Sequence, residues 1–174
     1  VWIGPDFRFG HNRRGDVAML RDIGAELGFT AHTIEPVLID GERISSTRVR
    51  AALLTGDHAL AQRLLGRDFA IGGRVIHGQK LGRTLGYPTA NISLGRRRPP
   101  VHGIYAVRVS GAGLRDWPSV ASLGTRPTVD GRELLLEAHL FDFDGDLYGQ
   151  RLRVDFIAKI RDEARFANLD DLIE

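Results

Sequence analysis

The chain has 174 residues, 43% hydrophobic and 26% charged, with a formal net charge of +2. That composition is ordinary for a globular protein, and so small a net charge gives no sign of the basic patch or stripe that nucleic-acid binders carry. The absence of cysteine excludes disulfides and cysteine-rich zinc sites, and no apolar stretch approaches the length of a membrane span. The length suits one domain or two small ones.

Val1–Gly4 has the pattern of a strand already under way, and Leu172-Ile173-Glu174 stops inside a helical pattern. The expectation is a fragment, truncated at the N-terminus and at the C-terminus. After a polar loop over Asp6–Arg14, Asp16 can cap a helix in which Val17, Leu20, Ile23 and Leu27 recur at helical spacing, and Gly28 closes it. A second strand is expected over Thr33–Ile39 with Asp40-Gly41 as its turn, followed by helices over Thr47–Leu54 and His58–Leu65. Strand, helix, strand, helix implies part of a parallel α/β sheet.

Past Gly66 the character changes, and the domain boundary is expected near residue 67, giving segments 1–66 and 67–174. Short strand-like runs occupy Phe69–His77, Gly103–Ser110, Ser119–Leu123, Leu134–Phe143 and Arg151–Ile160. Asp144-Gly145 has the signature of a hairpin turn between two of them. Runs of strands without helices suggest a small antiparallel barrel, and a last helix is expected over Asp162–Ile173. Arg96-Arg97-Arg98, followed by Pro99-Pro100, is a solvated turn.

Four stretches carry possible chemistry. In Ile44-Ser45-Ser46-Thr47-Arg48-Val49-Arg50, a hydroxyl N-cap needs no ligand. Arg48 and Arg50 nevertheless oppose the helix dipole, and a bound phosphate would reverse that penalty. The stretch Gly78-Gln-Lys80-Leu-Gly82-Arg83-Thr-Leu-Gly86-Tyr-Pro88-Thr89-Ala-Asn91 is either a flexible turn or an anion-holding loop. In an extended segment Thr89 and Asn91 leave on one face, and their oxygens are hard ligands suited to Mg²⁺ carrying nucleotide phosphates.

In Leu134–Phe143, period two places Leu135, Glu137, His139 and Phe141 on one face and Leu134, Leu136, Ala138 and Leu140 on the other. Glu137 is a solvated carboxylate if its face meets water, and a general base if that face lines a pocket. His139 is a neighbour rather than a ligand. Asp142, Asp144 and Asp146 do not make an EF-hand, because Leu147 and Arg153 stand where glycine and glutamate are required. Finally, Asp162 and Glu163 fit a helix first turn, while an arginine and Phe166 beside a pocket could hold a planar ring.

These elements occur in one order. Gly-Pro-Asp-Phe-Arg-Phe-Gly, Ile-Ser-Ser-Thr-Arg-Val-Arg, Leu-Leu-Gly-Arg, the stretch 78–91, Leu-Gly-Thr-Arg-Pro-Thr, Leu-Glu-Ala-His-Leu-Phe-Asp-Phe-Asp-Gly-Asp-Leu-Tyr-Gly and Arg-Asp-Glu-Ala-Arg-Phe run along nearly the whole chain. The set closely resembles the bacterial bifunctional riboflavin kinase/FMN adenylyltransferases, also called FAD synthetases. The resemblance implies a partial Rossmann-like nucleotidyltransferase module followed by a six-stranded antiparallel kinase barrel with a C-terminal helix.

It further implies phosphorylation of riboflavin to FMN by ATP. Thr89 and Asn91 would hold Mg²⁺ and the ATP phosphates, with Glu137 as the base. Gly78, Lys80, Gly82 and Arg83 would form the flap over the nucleotide, and Arg161 and Glu163 the segment that closes over the flavin. Ser45, Ser46, Thr47 and Arg48 match the triphosphate element of the adenylyltransferase. Its glycine-rich strand and Gly-His motif have no counterpart, since Phe9-Gly10-His11 belongs to a later loop, so FAD synthesis is not expected. The expected partners are riboflavin, FMN, ATP and ADP, without nucleic acid or membrane, in the cytoplasm. Two alternatives are a catalytically silent flavin- or nucleotide-binding module and a nucleotidyltransferase for another metabolite. Thr89, Asn91 and Glu137 together argue against both.

Overall fold

A computed structural model of the chain describes residues 1–78, 86–128 and 131–164. Its contacts gather into two units, Val1–Ser45 and Ser46–Glu174.

In the first unit, strand β1 (Trp2–Ile3) and strand β2 (His32–Thr33) pair in parallel, with helix α1 (Val17–Leu27) between them in sequence. This is the strand–helix–strand unit expected from the sequence. The Asp16 carboxylate starts α1 by accepting the Met19 N–H at 3.0 Å; that bond holds its pKa below the ordinary carboxylate value. The strand expected over Thr33–Ile39 is broken, because Pro36 has no N–H to give a ladder. Its end, β3 (Leu38–Ile39), pairs instead with β4 (Glu42–Arg43) across Asp40-Gly41.

The second unit begins with α2 (Ser46–Thr55) and α3 (His58–Leu65). The Asp57 carboxylate caps α3 by accepting the Leu60 N–H at 2.9 Å. Six strands follow: β5 (Phe69–Ile76), β6 (Ala90–Ile92), β7 (Gly103–Gly111), β8 (Leu114–Thr128), β9 (Gly131–Leu140) and β10 (Arg151–Arg161). They close into an antiparallel barrel in the order β10-β5-β6-β9-β8-β7. Period-two alternation fills the interior: Ile92, Val109, Leu123, Leu136, Ala138 and Val154 are all 0% exposed.

Closure explains where the structure departs from the sequence expectations. Strand β9 pairs with β6 and β8, and β10 with β5 and β7. Both edges of each are therefore taken, and Asp144-Gly145 is not a hairpin turn; residues 141–150 are a connection between non-adjacent strands. The Ser119–Leu123 run extends to Leu114–Thr128. Contacts also divide the chain earlier than residues 66/67, because α2 and α3 place Ala52, Leu53 and Ala61 in the barrel's hydrophobic core. At the far end Asp162–Ala164 are irregular rather than helical; the rest of the expected helix lies outside the described residues.

Candidate active site

Register decides which face of β9 carries the polar side chains. Ala90 lies opposite Ala138, Asn91 opposite Glu137 and Ile92 opposite Leu136. Leu136, Ala138 and Ile92 point inward, so Asn91 and Glu137 leave side by side on the outer face. Ser122 of β8 is opposite Glu137 on the other flank. The row Ser122–Glu137–Asn91 thus crosses three strands outside the barrel, with Thr89 two residues from Asn91 and His139 two from Glu137.

Asn91 faces outward yet is 5% exposed. The cover is the chain leaving β5: a Cβ at Gly78 would lie 2.5 Å from Asn91 Nδ2 and 2.6 Å from its Oδ1. Only glycine allows so close an approach. The buried Oδ1 has no hydrogen-bond partner among the described residues. An orphaned buried oxygen is costly, and a hard cation is the partner its chemistry suits. With the Glu137 carboxylate on the same face and the Thr89 hydroxyl two residues along the chain, the donor set fits a divalent metal.

An open cleft of about 560 Å³ is lined by Val75, Thr89, Phe143, Asp146, Leu147 and Tyr148, and Thr89 is the residue it shares with the segment leading to Asn91. The Tyr148 ring meets His77 tilted at 33°, centroids 4.1 Å apart, and the Asp146 carboxylate fixes the turn by accepting the Tyr148 N–H at 2.9 Å. Apolar walls with a few polar groups are the usual make-up of a small-molecule site. The sequence reading missed these residues by treating 144–145 as a tight turn. The signal was there in the aromatics Phe141, Phe143 and Tyr148 within one short connection.

Other expected residues are placed as follows. Arg161 ends β10 and donates to the Asp162 carbonyl at 3.0 Å. The Glu163 carboxylate lies against Gly124 of β8, in the space a Cβ there would fill. Gly124 is two residues from Ser122, so Glu163 comes to the same outer face as Glu137. Lys159 pairs with Asp162 at 2.6 Å, raising the pKa of the amine and lowering that of the carboxyl. Ser46 opens α2 with Thr47 and Arg48 in its first turn, and Ser45 is the last residue of the first unit. Lys80, Gly82 and Arg83 lie outside the described residues.

A riboflavin kinase family model (Flavokinase) matches residues 65–174. The chain belongs to the riboflavin kinase family. A FAD synthetase family model matches residues 1–48. The chain is 53% identical over 171 residues to a bifunctional riboflavin kinase/FMN adenylyltransferase of Pseudomonas fluorescens, covering 98% of this chain and 55% of that protein. The Escherichia coli K12 protein of the same name is 52% identical over 170 residues, covering 98% and 54%. The chain therefore spans about half the length of the curated relatives it matches. A structure titled as a macrolide-efflux protein from Streptococcus pneumoniae has the same fold, with a TM-score of 0.74 at 36% identity over 98% of this chain and 55% of that one. The six-stranded barrel and the family match agree with the resemblance read from the motifs. No helix among the described residues is long and apolar enough to cross a membrane.

Proposed function

We propose that the barrel transfers the γ-phosphoryl group of ATP to the ribityl 5′-hydroxyl of riboflavin, giving FMN and ADP. The observation that carries this reading is the pairing of Asn91, whose buried Oδ1 has no partner among the described residues, with Glu137 directly across the ladder. Phosphoryl transfer asks mainly for positioning, charge stabilisation and a group to orient the nucleophile. Glu137 takes the proton from the 5′-hydroxyl; the oxygen forms a bond to the γ-phosphorus; the bond to the β-phosphate oxygen breaks, and ADP leaves. Thr89 and Asn91 hold the metal, which we take to be Mg²⁺ and which, when bound, neutralises charge on the phosphates. The cleft beside Tyr148 receives the nucleotide, Gly78, Lys80, Gly82 and Arg83 lie over its phosphates, and Arg161 and Glu163 contact the flavin.

In this reading residues 67–174 are the kinase segment, with α2 and α3 packed on it, and 1–66 belong to an FMN adenylyltransferase module. Ser45, Ser46, Thr47 and Arg48 are its triphosphate element, and FAD synthesis needs groups this chain does not contain. Riboflavin, FMN and adenine nucleotides are the partners, and their chemistry suits the cytoplasm.

The test is incubation of the chain with riboflavin, ATP and Mg²⁺, with products separated by chromatography. FMN is expected. Flavin binding without FMN would favour the silent module, and accumulation of FAD would contradict the incomplete adenylyltransferase site.

A further inference from the structure

Asn91 is held by the β6–β9 ladder, but Thr89 is not. The ladder's last rung is Ala90 opposite Ala138. One step further would set Thr89 against His139. Pro88, which precedes it, has no N–H with which to continue the pairing. The tie beyond the last rung is a side chain instead: His139 Nδ1 lies 2.8 Å from the Pro88 carbonyl oxygen, across 51 residues of sequence. A carbonyl only accepts, so the proton of this bond is on Nδ1 and His139 is the donor.

The ring is held as well as bonded. Tyr87 meets it edge-on at 5.7 Å and 76°, and Phe141 edge-on at 5.6 Å and 83°. Both aromatics are well exposed, at 63% and 45%, so they orient the imidazole more than they bury it. His139 shares the outer face with Glu137, and the segment it grips begins the Thr89–Asn91 edge. One outward strip of β9 thus faces the reacting hydroxyl with one residue and fixes the metal-holding edge with the next.

We infer that His139 is a positioning residue for the metal and nucleotide phosphates, acting through the Pro88 carbonyl on Thr89. The inference rests on the kinase reading above and adds a residue to it. Partners that orient a metal's ligands from behind typically change metal affinity or activity 10- to 100-fold when removed. His139 therefore acts on the metal-dependent part of nucleotide binding, and leaves the metal-free part and riboflavin binding alone.

The experiment is calorimetric titration of the 174-residue chain with ADP, once with Mg²⁺ and once with EDTA, for three kinds of variant. His139→Leu and His139→Ala remove the donor, the first keeping bulk beside Tyr87 and Phe141. His139→Asn keeps an N–H donor at the position of Nδ1. Wild type is expected to bind ADP more tightly with Mg²⁺. The Leu and Ala variants are expected to lose about 10-fold of that gain with unchanged affinity in EDTA, and His139→Asn to recover most of it. In turnover the same variants raise KM for MgATP and leave KM for riboflavin as it was.

An undiminished Mg²⁺-dependent gain in the donor-free variants overturns the inference, as does an Asn variant no better than Leu. Failure of both donor-free variants to fold also overturns it, by assigning His139 to the fold. Asn91→Leu separates this from the parent reading. If Mg²⁺-dependent binding is lost in Asn91→Leu but intact in His139→Leu, only the positioning role fails. Wild-type affinity indifferent to Mg²⁺ sinks the metal site itself.

Discussion

The two units of this chain use similar raw material to different effect. In Val1–Ser45 the strands are two residues each and Ala31 is the buried hydrophobic residue, while Trp2, Leu27 and Val37 are 69%, 73% and 65% exposed. In the barrel, strands of up to 15 residues close on themselves, and alternate side chains from each meet in a dry interior. The lesson is that apolar periodicity becomes stability only where topology supplies a second surface to bury it against. The closed barrel supplies its own, and its outer face is then free to carry chemistry.

The sharpest way to break this contrast is to truncate one leucine in each unit. Leu136→Ala in the barrel should lower unfolding free energy by about 3 kcal/mol, as for a fully buried leucine leaving a cavity. Leu27→Ala should change it by less than about 0.5 kcal/mol. Denaturant melts of the two variants check this, and equal losses would contradict the division.

A second variant asks whether the outer face is as specified as the interior. Gly124→Ala would put a methyl group where the Glu163 carboxylate lies. Glu163 is an exposed, flexible side chain that can swing away, so the cost to folding should stay under about 1 kcal/mol. If Glu163 contacts the flavin, KM for riboflavin should rise about 10-fold, near 1.4 kcal/mol. An unchanged KM would remove Glu163 from the flavin site.

The smallest effect concerns the join between α3 and the barrel. His58 is buried edge-on against Tyr105, with centroids 5.2 Å apart. Burial and, next, the Lys159 cation push its pKa below the ordinary 6.5, against weaker opposing pulls from Asp57 and Asp68. Because the folded value is the lower one, the unfolded chain takes up the proton first. His58's neutral burial is therefore fully tolerated above about pH 6.5 and costs stability as pH falls from there through the folded value. His58→Phe should flatten that acid-side slope in thermal melts at pH 5 to 7. A slope identical to wild type would mean His58 titrates alike in both states.

These tests also mark what the sequence could and could not show. The helix cap at Asp16 and the run of barrel strands were legible because they depend on local chemistry and period two. Thr89 and Asn91 could be read as two oxygen-bearing side chains on one face, and Glu137 as a carboxylate that is a base only if its face lines a pocket, but not as neighbours. The adjacency of Asn91 and Glu137 comes from a register between β6 and β9, which no local pattern encodes. The same holds for Asp144-Gly145, whose hairpin signature was overruled when barrel closure occupied both edges of β9. Burial of Asn91 under Gly78 could not be foreseen, since an outward-facing position on a strand is ordinarily wet. His139 was passed over for a related reason: its bond to Pro88 spans a gap that only the folded barrel closes.

The central claim is that the outer row through Asn91 and Glu137 performs phosphoryl transfer. The most direct measurement is FMN formation by Glu137→Gln alongside its riboflavin affinity. Gln keeps the shape and loses the base, so turnover should fall about 10²- to 10⁴-fold while riboflavin affinity stays within a few-fold of wild type. Turnover equal to wild type in that variant would contradict the account.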